Sequence, residues 1–218
     1  MVLNSETATM VAEKLLQIKA IKLNVDTPFT WASGLRSPIY CDNRITLSFP
    51  ELRTYIRQQL SNAVREHFEG VDVIAGVATA GIPQGVLVAE ALGLPFVYVR
   101  SEKKSHGLTN RIEGRLNSGQ SVVVVEDLVS TGMSSLAAVD ALREAGAVVK
   151  GMVAIFTYGL AIADKNFEAK GCKLVTLSDY DNLIEHGVAM DYVPESQKET
   201  LVKWRSNPQE WSDKFNNK

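Results

Sequence analysis

Residues 121–135, SVVVVEDLVSTGMSS, constrain the fold more than any other stretch of the chain. The four consecutive valines at 122–125 predict a strand that is buried on both faces, as in a parallel sheet covered by helices. Two acids, Glu126 and Asp127, come next, where the carboxyl end of that strand is expected to emerge. A short polar turn then leads into residues 133–145, whose apolar spacing predicts a helix.

The turn between the acids and the helix has the chemistry of a phosphate site. Ser130, Thr131, Gly132 and Ser134 are small or carry hydroxyls, so a phosphate can approach the backbone and find donors. The first N–H groups of the following helix also favour an anion. The two carboxylates can accept hydrogen bonds from ribose hydroxyls or face a hydrated Mg²⁺. An acidic pair before a helix also serves as a plain cap and dipole partner, so the pair by itself leaves both interpretations open.

Strands and helices alternate along the rest of the chain. Further strands are predicted at residues 71–75, 96–99, 148–156 and 173–177, and further helices at residues 6–18, 50–66, 82–92, 160–170 and 195–204. This alternation predicts a doubly wound, mostly parallel sheet with helices on both faces. Ligands of such sheets bind beyond the carboxyl ends of the strands.

Two more loops follow predicted strands at that edge. Residues 76–81, GVATAG, are small enough either for an anion to approach the backbone or simply for a tight packing turn. Residues 100–119 form a polar connection without helical or strand periodicity. A connection of this length within a compact domain usually has a function, so it predicts a lid or binding loop. The loop concentrates positive charge at Arg100, Lys103, Lys104, His106 and Arg111.

Composition narrows the class of protein. With 218 residues, 45% of them hydrophobic, the chain suits one α/β domain with a substantial core. A net charge of −2 argues against a general nucleic-acid binder. Cys41 and Cys172 follow no spacing pattern and are predicted to be free thiols. Residues 1–20 do not have the pattern of a signal peptide and no apolar run is long enough to span a membrane, so we expect a cytoplasmic protein.

Motifs of several other enzyme classes are missing from the sequence. A P-loop requires Lys and then Ser or Thr after its last glycine, whereas Ile82 and Pro83 follow residues 76–81. G-x-S-x-G, H-E-x-x-H and paired C-x-x-C elements do not occur, which weakens hydrolase, zinc-protease and zinc-ribbon interpretations.

Three segments carry a resemblance to a known family. The string VVVVEDLVSTG resembles the motif with which type I phosphoribosyltransferases bind phosphoribosyl pyrophosphate (PRPP). In residues 29–44, F-T-x-x-S-G-x-x-S-P-x-Y followed by an Asn is similar to the N-terminal signature of orotate phosphoribosyltransferases, although its residues alone predict only a hairpin with short strands at 29–31 and 39–41. Arg100, Lys104, His106 and Gly107 match the R-x-x-x-K-x-H-G pattern of that family's flexible loop.

The resemblance covers residues 6–194 and implies a fold, a domain arrangement and a reaction. It implies residues 1–48 as an N-terminal helix and a small hood over the base, and residues 49–218 as the PRPP-binding core with a C-terminal helical tail. The implied reaction is the Mg²⁺-dependent transfer of the phosphoribosyl group from PRPP to orotate, which gives orotidine 5′-monophosphate and pyrophosphate. A purine-type phosphoribosyltransferase, or a non-catalytic regulator that senses PRPP, is the alternative, because fold alone does not decide function.

The resemblance also implies roles for individual residues. Lys104, His106 and Asp127 are the implied catalytic residues. The implied PRPP contacts are Arg100, Lys104, His106, Glu126, Asp127, Leu128, Val129, Ser130, Thr131, Gly132, Met133 and Ser134. Ser130 is also an implied orotate contact, and Mg²⁺ is expected to be held mainly by PRPP, with water between it and the two acids. A homodimer is expected, in which the lid loop completes the neighbouring subunit's site.

Four positions depart from relatives that carry a polar contact there. Those relatives have lysine at the position of Ala32, Tyr-Lys at Thr79-Ala80, lysine at Ser101, and an orotate-binding arginine near Tyr158. Arg44 or Arg36, placed in the matched hairpin, is our hypothesis for the missing charge on orotate. Residues 180–218 show no recognisable chemistry and are interpreted as packing.

Overall fold

The computed structural model describes residues 1–31, 33–100 and 111–216. Within these ranges the chain forms a six-stranded sheet, two small ribbons and helices on both sheet faces. The strands are β1 (Ile21–Leu23), β2 (Phe29–Thr30), β3 (Arg36–Ser37), β4 (Ile39–Cys41), β5 (Val73–Val77), β6 (Phe96–Val99), β7 (Ile112–Glu113), β8 (Ser121–Val129), β9 (Val148–Thr157) and β10 (Leu174–Asp179). The helices are α1 (Ser5–Gln17), α2 (Pro50–His67), α3 (Gly81–Leu92), α4 (Met133–Glu144), α5 (Ala161–Ala169), α6 (Tyr180–Ala189), α7 (Glu195–Ser206) and α8 (Pro208–Asn216), with a 3-10 helix at Asn43–Ser48.

The main sheet is mostly parallel, as predicted. Its strand order is β10-β9-β8-β5-β6-β7, and each neighbouring pair is parallel except β6 and β7. The valines of β8 alternate between two separate cores, because successive side chains of a strand point to opposite faces. Val123 and Val125 contribute to one core, and Val122 and Val124 to the other. The prediction of a strand buried on both faces is confirmed.

Helices cover both faces of the sheet. Helices α1, α2, α3 and α6 bury apolar side chains with Val123 and Val125, whereas α4 and α5 pack on the opposite face. Each of these helices presents one apolar stripe, and burying a single large aliphatic side chain contributes roughly 1.5–3 kcal/mol. The doubly wound arrangement predicted from the alternation of elements is therefore confirmed.

Strand β8 runs further than its valines predicted. It continues to Val129, so Glu126 and Asp127 lie within the strand and not beyond its end. The reason is the neighbouring β9, whose backbone pairs with Glu126, Leu128 and Val129. The expectation that the acids emerge at the strand's end was wrong, because β8 continues past them to Val129. Pairing with β9 supplies backbone hydrogen bonds that the local sequence does not reveal.

The N-terminal segment forms two ribbons where a plain hairpin was the simplest expectation from its residues. Strand β2 pairs antiparallel with β3, while β4 pairs antiparallel with β1. The chain changes partner at Pro38, beside which the Ser37 hydroxyl contacts both the N–H and the carbonyl of Ile39 at 3.2 and 2.9 Å. The division into residues 1–48 and 49–218 stays a prediction; α1, from the first part, packs against β10 and α6 of the second.

Two other regions extend the predicted elements. The polar connection at 100–119 contains β7, which pairs with β6, while residues 101–110 lie outside the described part of the chain. The C-terminal segment folds into α6, α7 and α8. Among the described residues, no helix combines the length and apolar character needed to cross a bilayer.

Candidate functional site

Parallel pairing brings the candidate loops to one edge of the sheet. Residues 78–80 follow β5, Arg100 follows β6, Ser130 follows β8 and Tyr158 follows β9. Strands β5 and β8 are neighbours, and the sheet extends from β5 to β6 on one side and from β8 to β9 on the other. Such a reversal of strand order opens a crevice at the carboxyl ends, which is where ligands of doubly wound sheets bind.

The turn from Ser130 to Gly132 opens into the start of α4. Gly132 has a φ of +79°, and a Cβ there would lie 2.6 Å from Cε2 of Phe167, so this position requires glycine. The Asn166 side chain donates to the carbonyl of Thr131 at 2.9 Å and fixes the turn. Gly132, the N-cap of α4, has no side chain to cap the first turn, so the N–H groups of that turn can bind an anion.

Glu126 is turned into the protein. Its side chain accepts hydrogen bonds from the Asp127 backbone N–H at 3.0 Å and from the Ser135 hydroxyl at 3.0 Å, and the residue is 5% exposed. Burial, reinforced by the negative charge of Asp127, raises the pKa of Glu126 well above its usual 4.5. Both carboxyl oxygens are therefore engaged inside the protein, and the group keeps its proton to a higher pH than an exposed glutamate.

Asp127 is half-buried and more open than Glu126. Burial raises the pKa of Asp127 as well, while its hydrogen bonds with Glu126 and with backbone amides, and the charge of Arg44, oppose the rise. Its backbone carbonyl accepts a hydrogen bond from the Asn43 side chain at 2.7 Å. Of the two acids, Asp127 is thus the one that can meet a ligand in the crevice.

Asn43 is a site residue that the sequence analysis quoted without giving it a role. It is fully buried at the start of the 3-10 helix, donates to Asp127 and accepts from the Cys41 thiol, whose Sγ lies 3.2 Å from Asn43 Oδ1. Burial and the nearby charges of Asp127 and Asp42 raise the pKa of the Cys41 thiol, so it is protonated and can donate. The signal in the sequence was the Asn after the hairpin signature; its partner, 84 positions away, was not readable.

A small aromatic cavity lies between the N-terminal ribbons and the end of β8. Its volume is about 230 Å³, and it is lined by Thr30, Trp31, Tyr40, Cys41, Leu128, Ser130 and Tyr158. Trp31 stacks on Tyr158 with ring centroids 5.1 Å apart, and its indole N–H donates to the Ile39 carbonyl at 3.1 Å. Burial raises the pKa of Tyr158 well above its usual value, so its hydroxyl is neutral. Flat apolar walls with a hydroxyl at Ser130 suit a planar heterocycle.

A larger cavity adjoins the turn from Ser130 to Gly132. It encloses about 780 Å³ and shares Trp31 and Ser130 with the aromatic cavity. Thr131 and Arg205 also line it, and Arg205 donates to the Gly159 carbonyl at 3.3 Å and pairs with Asp181 at 2.9 Å. Arg205 belongs to the C-terminal segment and was missed from sequence, because nothing local connects α7 with the end of β9.

The glycines of the turn at 76–81 have a packing role. A Cβ at Gly81 would lie 2.5 Å from the Val125 carbonyl oxygen, and one at Gly76 would lie 2.8 Å from the Gly81 carbonyl oxygen. Glycine therefore lets α3 approach β5 and β8 closely. The packing interpretation of this turn is supported, and contact with pyrophosphate stays a prediction.

The predicted cationic residues lie at different places. Arg100 sits at the root of the polar connection, where its backbone N–H donates to Arg111 and its guanidinium lies 3.6 Å from Glu113. Lys104 and His106, like Ala32 and Ser101, fall outside the described residues. Arg44 is exposed and makes a two-pronged ion pair with Asp42 at 2.6 and 2.9 Å. Its contact with orotate stays a prediction.

The remaining predicted PRPP contacts differ in exposure. Val129 is buried, and its carbonyl accepts from the Tyr158 N–H and the Thr157 hydroxyl at 3.1 Å each. Leu128 lines the aromatic cavity. Met133 and Ser134 are exposed at the start of α4, where their backbone N–H groups lie in the first helical turn.

Comparison with known proteins identifies the family. A family model described as a phosphoribosyl transferase domain matches residues 49–192. The orotate phosphoribosyltransferase of Cytophaga hutchinsonii is 55% identical over 92% of this chain and 96% of its own length. The chain belongs to the orotate phosphoribosyltransferase family. The enzyme of that name from Listeria monocytogenes serotype 4b is 56% identical over the same shares of both chains.

Solved structures support the family's fold. The orotate phosphoribosyltransferase from Aeropyrum pernix is 28% identical, covers 84% of this chain and 99% of its own, and superposes with a TM-score of 0.73. An adenine phosphoribosyltransferase from Leishmania donovani, 21% identical with a TM-score of 0.61 over 79% of this chain and 81% of its own, shares the fold alone. Family, fold and enzyme class, as the sequence motifs implied them, are confirmed.

Proposed function

We infer that this protein is an orotate phosphoribosyltransferase, which transfers the phosphoribosyl group of PRPP to orotate and releases pyrophosphate. The observation that carries this function is its identity of 55% with an enzyme of that name, over 92% of the chain. The site geometry agrees with it, because an anion-binding turn and an aromatic cavity adjoin at Ser130. In a nucleotide, the sugar likewise joins a phosphate, which the turn would bind, to a planar base, which the cavity would bind.

The turn from Ser130 to Ser134 would hold the 5′-phosphate of PRPP. The free amides at the start of α4 carry a partial positive charge, and the hydroxyls of Ser130, Thr131 and Ser134 add donors. Asp127 would accept hydrogen bonds from the ribose hydroxyls, while Glu126, held by Ser135, would orient Asp127 from behind. These contacts fix the sugar before the reaction and lower its entropic cost.

Orotate would enter the aromatic cavity beside Trp31 and Tyr158. Ser130 would donate or accept at the edge of the base. The orotate carboxylate needs a cation, and Arg36 and Arg44 remain the candidates; the Arg36 guanidinium donates to the Thr30 hydroxyl of the cavity wall at 2.9 Å. Orotate is nucleophilic without a strong base, so the protein's task at this end is orientation.

Catalysis would be mainly electrostatic. As the bond to pyrophosphate breaks, negative charge grows on the leaving group and positive charge on the ribose carbon. Arg100, Lys104 and His106 would bind the diphosphate, with His106 as a ligand and not as a general base. Asp127 would face the positive side of the sugar. The lid carrying Lys104 and His106 would complete the site of the neighbouring subunit in a homodimer, in the cytoplasm.

The described residues fit a Mg²⁺ ion that is carried by the substrate. They contain no group of three or more Asp, Glu, His or Cys side chains able to enclose a metal. Both oxygens of Glu126 are engaged by internal donors, which leaves Asp127 to accept hydrogen bonds from metal-bound water. When bound, Mg²⁺ would neutralise charge on the diphosphate.

A base-competition assay tests this function. Purified protein, PRPP and Mg²⁺ are mixed with orotate, adenine or hypoxanthine, and the release of pyrophosphate is followed. We expect release with orotate alone, and its loss when Mg²⁺ is chelated. Release with a purine and not with orotate would overturn the proposal in favour of a purine-type enzyme, and PRPP binding without release with any base would indicate a sensor of PRPP.

A further inference from the structure

The C-terminal segment, to which the sequence assigned no chemistry, packs directly behind the aromatic cavity. Trp204 of α7 is fully buried, and its ring meets Trp31 edge-on at 5.7 Å and Tyr158 edge-on at 5.8 Å. Tyr180 closes the cluster at 5.3 Å. Trp31 and Tyr158 line the cavity, whereas Trp204 stands behind both of them. The positions of the two wall residues therefore depend on the ring of Trp204.

Helix α8 makes a second contact with the same region. The backbone N–H of Arg36, in β3, donates to the hydroxyl of the buried Ser212 at 2.9 Å. The ribbon that β3 forms with β2 has only two residues in each strand. A ribbon this short is not stable by itself, so it needs support from elsewhere in the molecule.

We propose that α7 and α8 brace the β2–β3 ribbon over the aromatic cavity, and that Trp204 is a positioning residue for Trp31 and Tyr158. The brace lets the cavity keep its shape before the base arrives, which reduces the cost of ordering it on binding. The proposal rests on the proposed function, in that orotate is the base that the cavity receives. Trp204 itself touches no substrate.

Trp204 contacts Trp31 and Tyr158 through ring packing and not through a hydrogen bond. Its buried indole N–H has no hydrogen-bond partner among the described residues, so the ring and not the N–H determines the packing. Trp204→Phe should therefore keep most of the brace, while Trp204→Leu removes the flat ring that meets Trp31 and Tyr158. This pair of variants separates the ring's shape from mere apolar burial.

Steady-state kinetics give the first test. For Trp204→Leu we expect the KM for orotate to rise about tenfold, because a small misplacement of the wall weakens binding, while the KM for PRPP stays near that of the wild type. Trp204→Phe should restore most of the orotate affinity. Leu142→Ala, a truncation of an equally buried side chain in the opposite core, is the control and should change neither KM. An equal rise in both KM values for Trp204→Leu would overturn the proposal.

Ser212→Ala tests the second contact and serves if Trp204→Leu fails to fold. Loss of the hydrogen bond to Arg36 should raise the KM for orotate about threefold, without a matching change for PRPP. Ser61→Ala is its control, because Ser61 is equally buried but donates to its own helix, at the Arg57 carbonyl. An orotate KM for Ser212→Ala no higher than that of Ser61→Ala would contradict the brace.

Fluorescence tests the brace without any reaction. The chain has three tryptophans, so replacing Trp211 and Trp204 by Phe leaves Trp31 as the reporter. With Leu in place of Phe at 204, acrylamide should quench Trp31 more strongly and its emission should shift to longer wavelength. Unchanged quenching would overturn the brace even if the enzyme is active. A wild type that releases no pyrophosphate with orotate would overturn the proposed function, and the quenching result would still decide the brace.

Discussion

Glu126 and Asp127 are adjacent in β8, yet they differ in how much solvent reaches them. Glu126 is 5% exposed and held by two internal donors, whereas Asp127 is half-buried. The Ser135 hydroxyl donates to the more buried of the two carboxyls, that of Glu126. The acidic pair thus divides into one buried carboxyl and one that solvent can reach.

The raised pKa of Glu126 makes the protein's stability depend on pH. A carboxyl whose pKa is raised on folding stabilises the fold below its usual pKa of 4.5, and this contribution is lost as the pH rises toward the folded-state pKa. Glu126→Gln keeps the shape and one acceptor but cannot ionise. We expect it to melt at a higher temperature than the wild type at pH 7–8 and to lose that advantage near pH 4, as thermal unfolding at several pH values will measure.

The same variant should lose activity, because the amide replaces the carboxyl whose hydrogen bond with Asp127 lowers the pKa of that residue. We expect kcat/KM for PRPP to fall about tenfold or more. Glu144→Gln, at the exposed end of α4, is the control and should change neither property. A wild type and a Glu126→Gln variant with identical melting temperatures at pH 8 would show that Glu126 ionises freely.

Asn43, from the N-terminal segment, holds the backbone of β8 at Asp127. Asn43→Ala leaves the Asp127 carbonyl without its donor, which should cost about 1–3 kcal/mol in the free energy of unfolding. We also expect a lower kcat/KM for PRPP, because Asp127 loses a support. Denaturant titration and steady-state kinetics measure the two effects, with the exposed Asn117→Ala as the control. If the two variants have the same free energy of unfolding and the same kcat/KM, the 2.7 Å hydrogen bond from Asn43 to Asp127 contributes to neither stability nor activity.

Between the two elements β8 and α4, the geometry of the turn depends on one glycine. Gly132 combines a positive φ with a close approach to Phe167. Gly119 has a similar φ of +86° but open space around it. The two positions therefore separate the cost of backbone strain from the cost of a steric clash.

Gly119→Ala should be destabilised by about 1–2 kcal/mol, which is the cost of the left-handed region for a residue with a Cβ. Gly132→Ala should lose distinctly more and should bind PRPP poorly, because the turn must move to relieve the clash with Phe167. Denaturant unfolding and PRPP titration provide the measurements. If both alanine variants lose the same stability and bind PRPP equally well, the clash has been overestimated.

At the scale of the whole molecule, the ligand site joins loops from four strands, so its occupation should stabilise the entire fold. At a PRPP concentration of about one hundred times its Kd, the free energy of unfolding should rise by about 2.7 kcal/mol. We expect this in the presence of Mg²⁺ and a smaller rise when the metal is chelated. Thermal shift of the wild type measures it, and Gly132→Ala, with its distorted turn, should respond less. A full shift without Mg²⁺ would contradict a role for the metal in PRPP binding.

Much of this architecture could be predicted from local patterns. The valine run and the apolar spacing after the turn correctly predicted that a strand, β8, is followed by a helix, α4, although not how far β8 extends, and three matched motifs predicted the family. These features are local: they depend on side-chain period, turn chemistry and residue size, which neighbouring positions determine together.

Contacts between distant parts of the chain could be seen only in the folded molecule. The pairing of β4 with β1, the hydrogen bond from Asn43 to Asp127 and the packing of Trp204 on Trp31 each join residues far apart in sequence. The burial of Glu126 likewise depends on β9 and on Ser135. Local patterns were enough to predict the main strands and helices, whereas packing selected which side chains meet, because burial and hydrogen bonding depend on neighbours that only folding brings together.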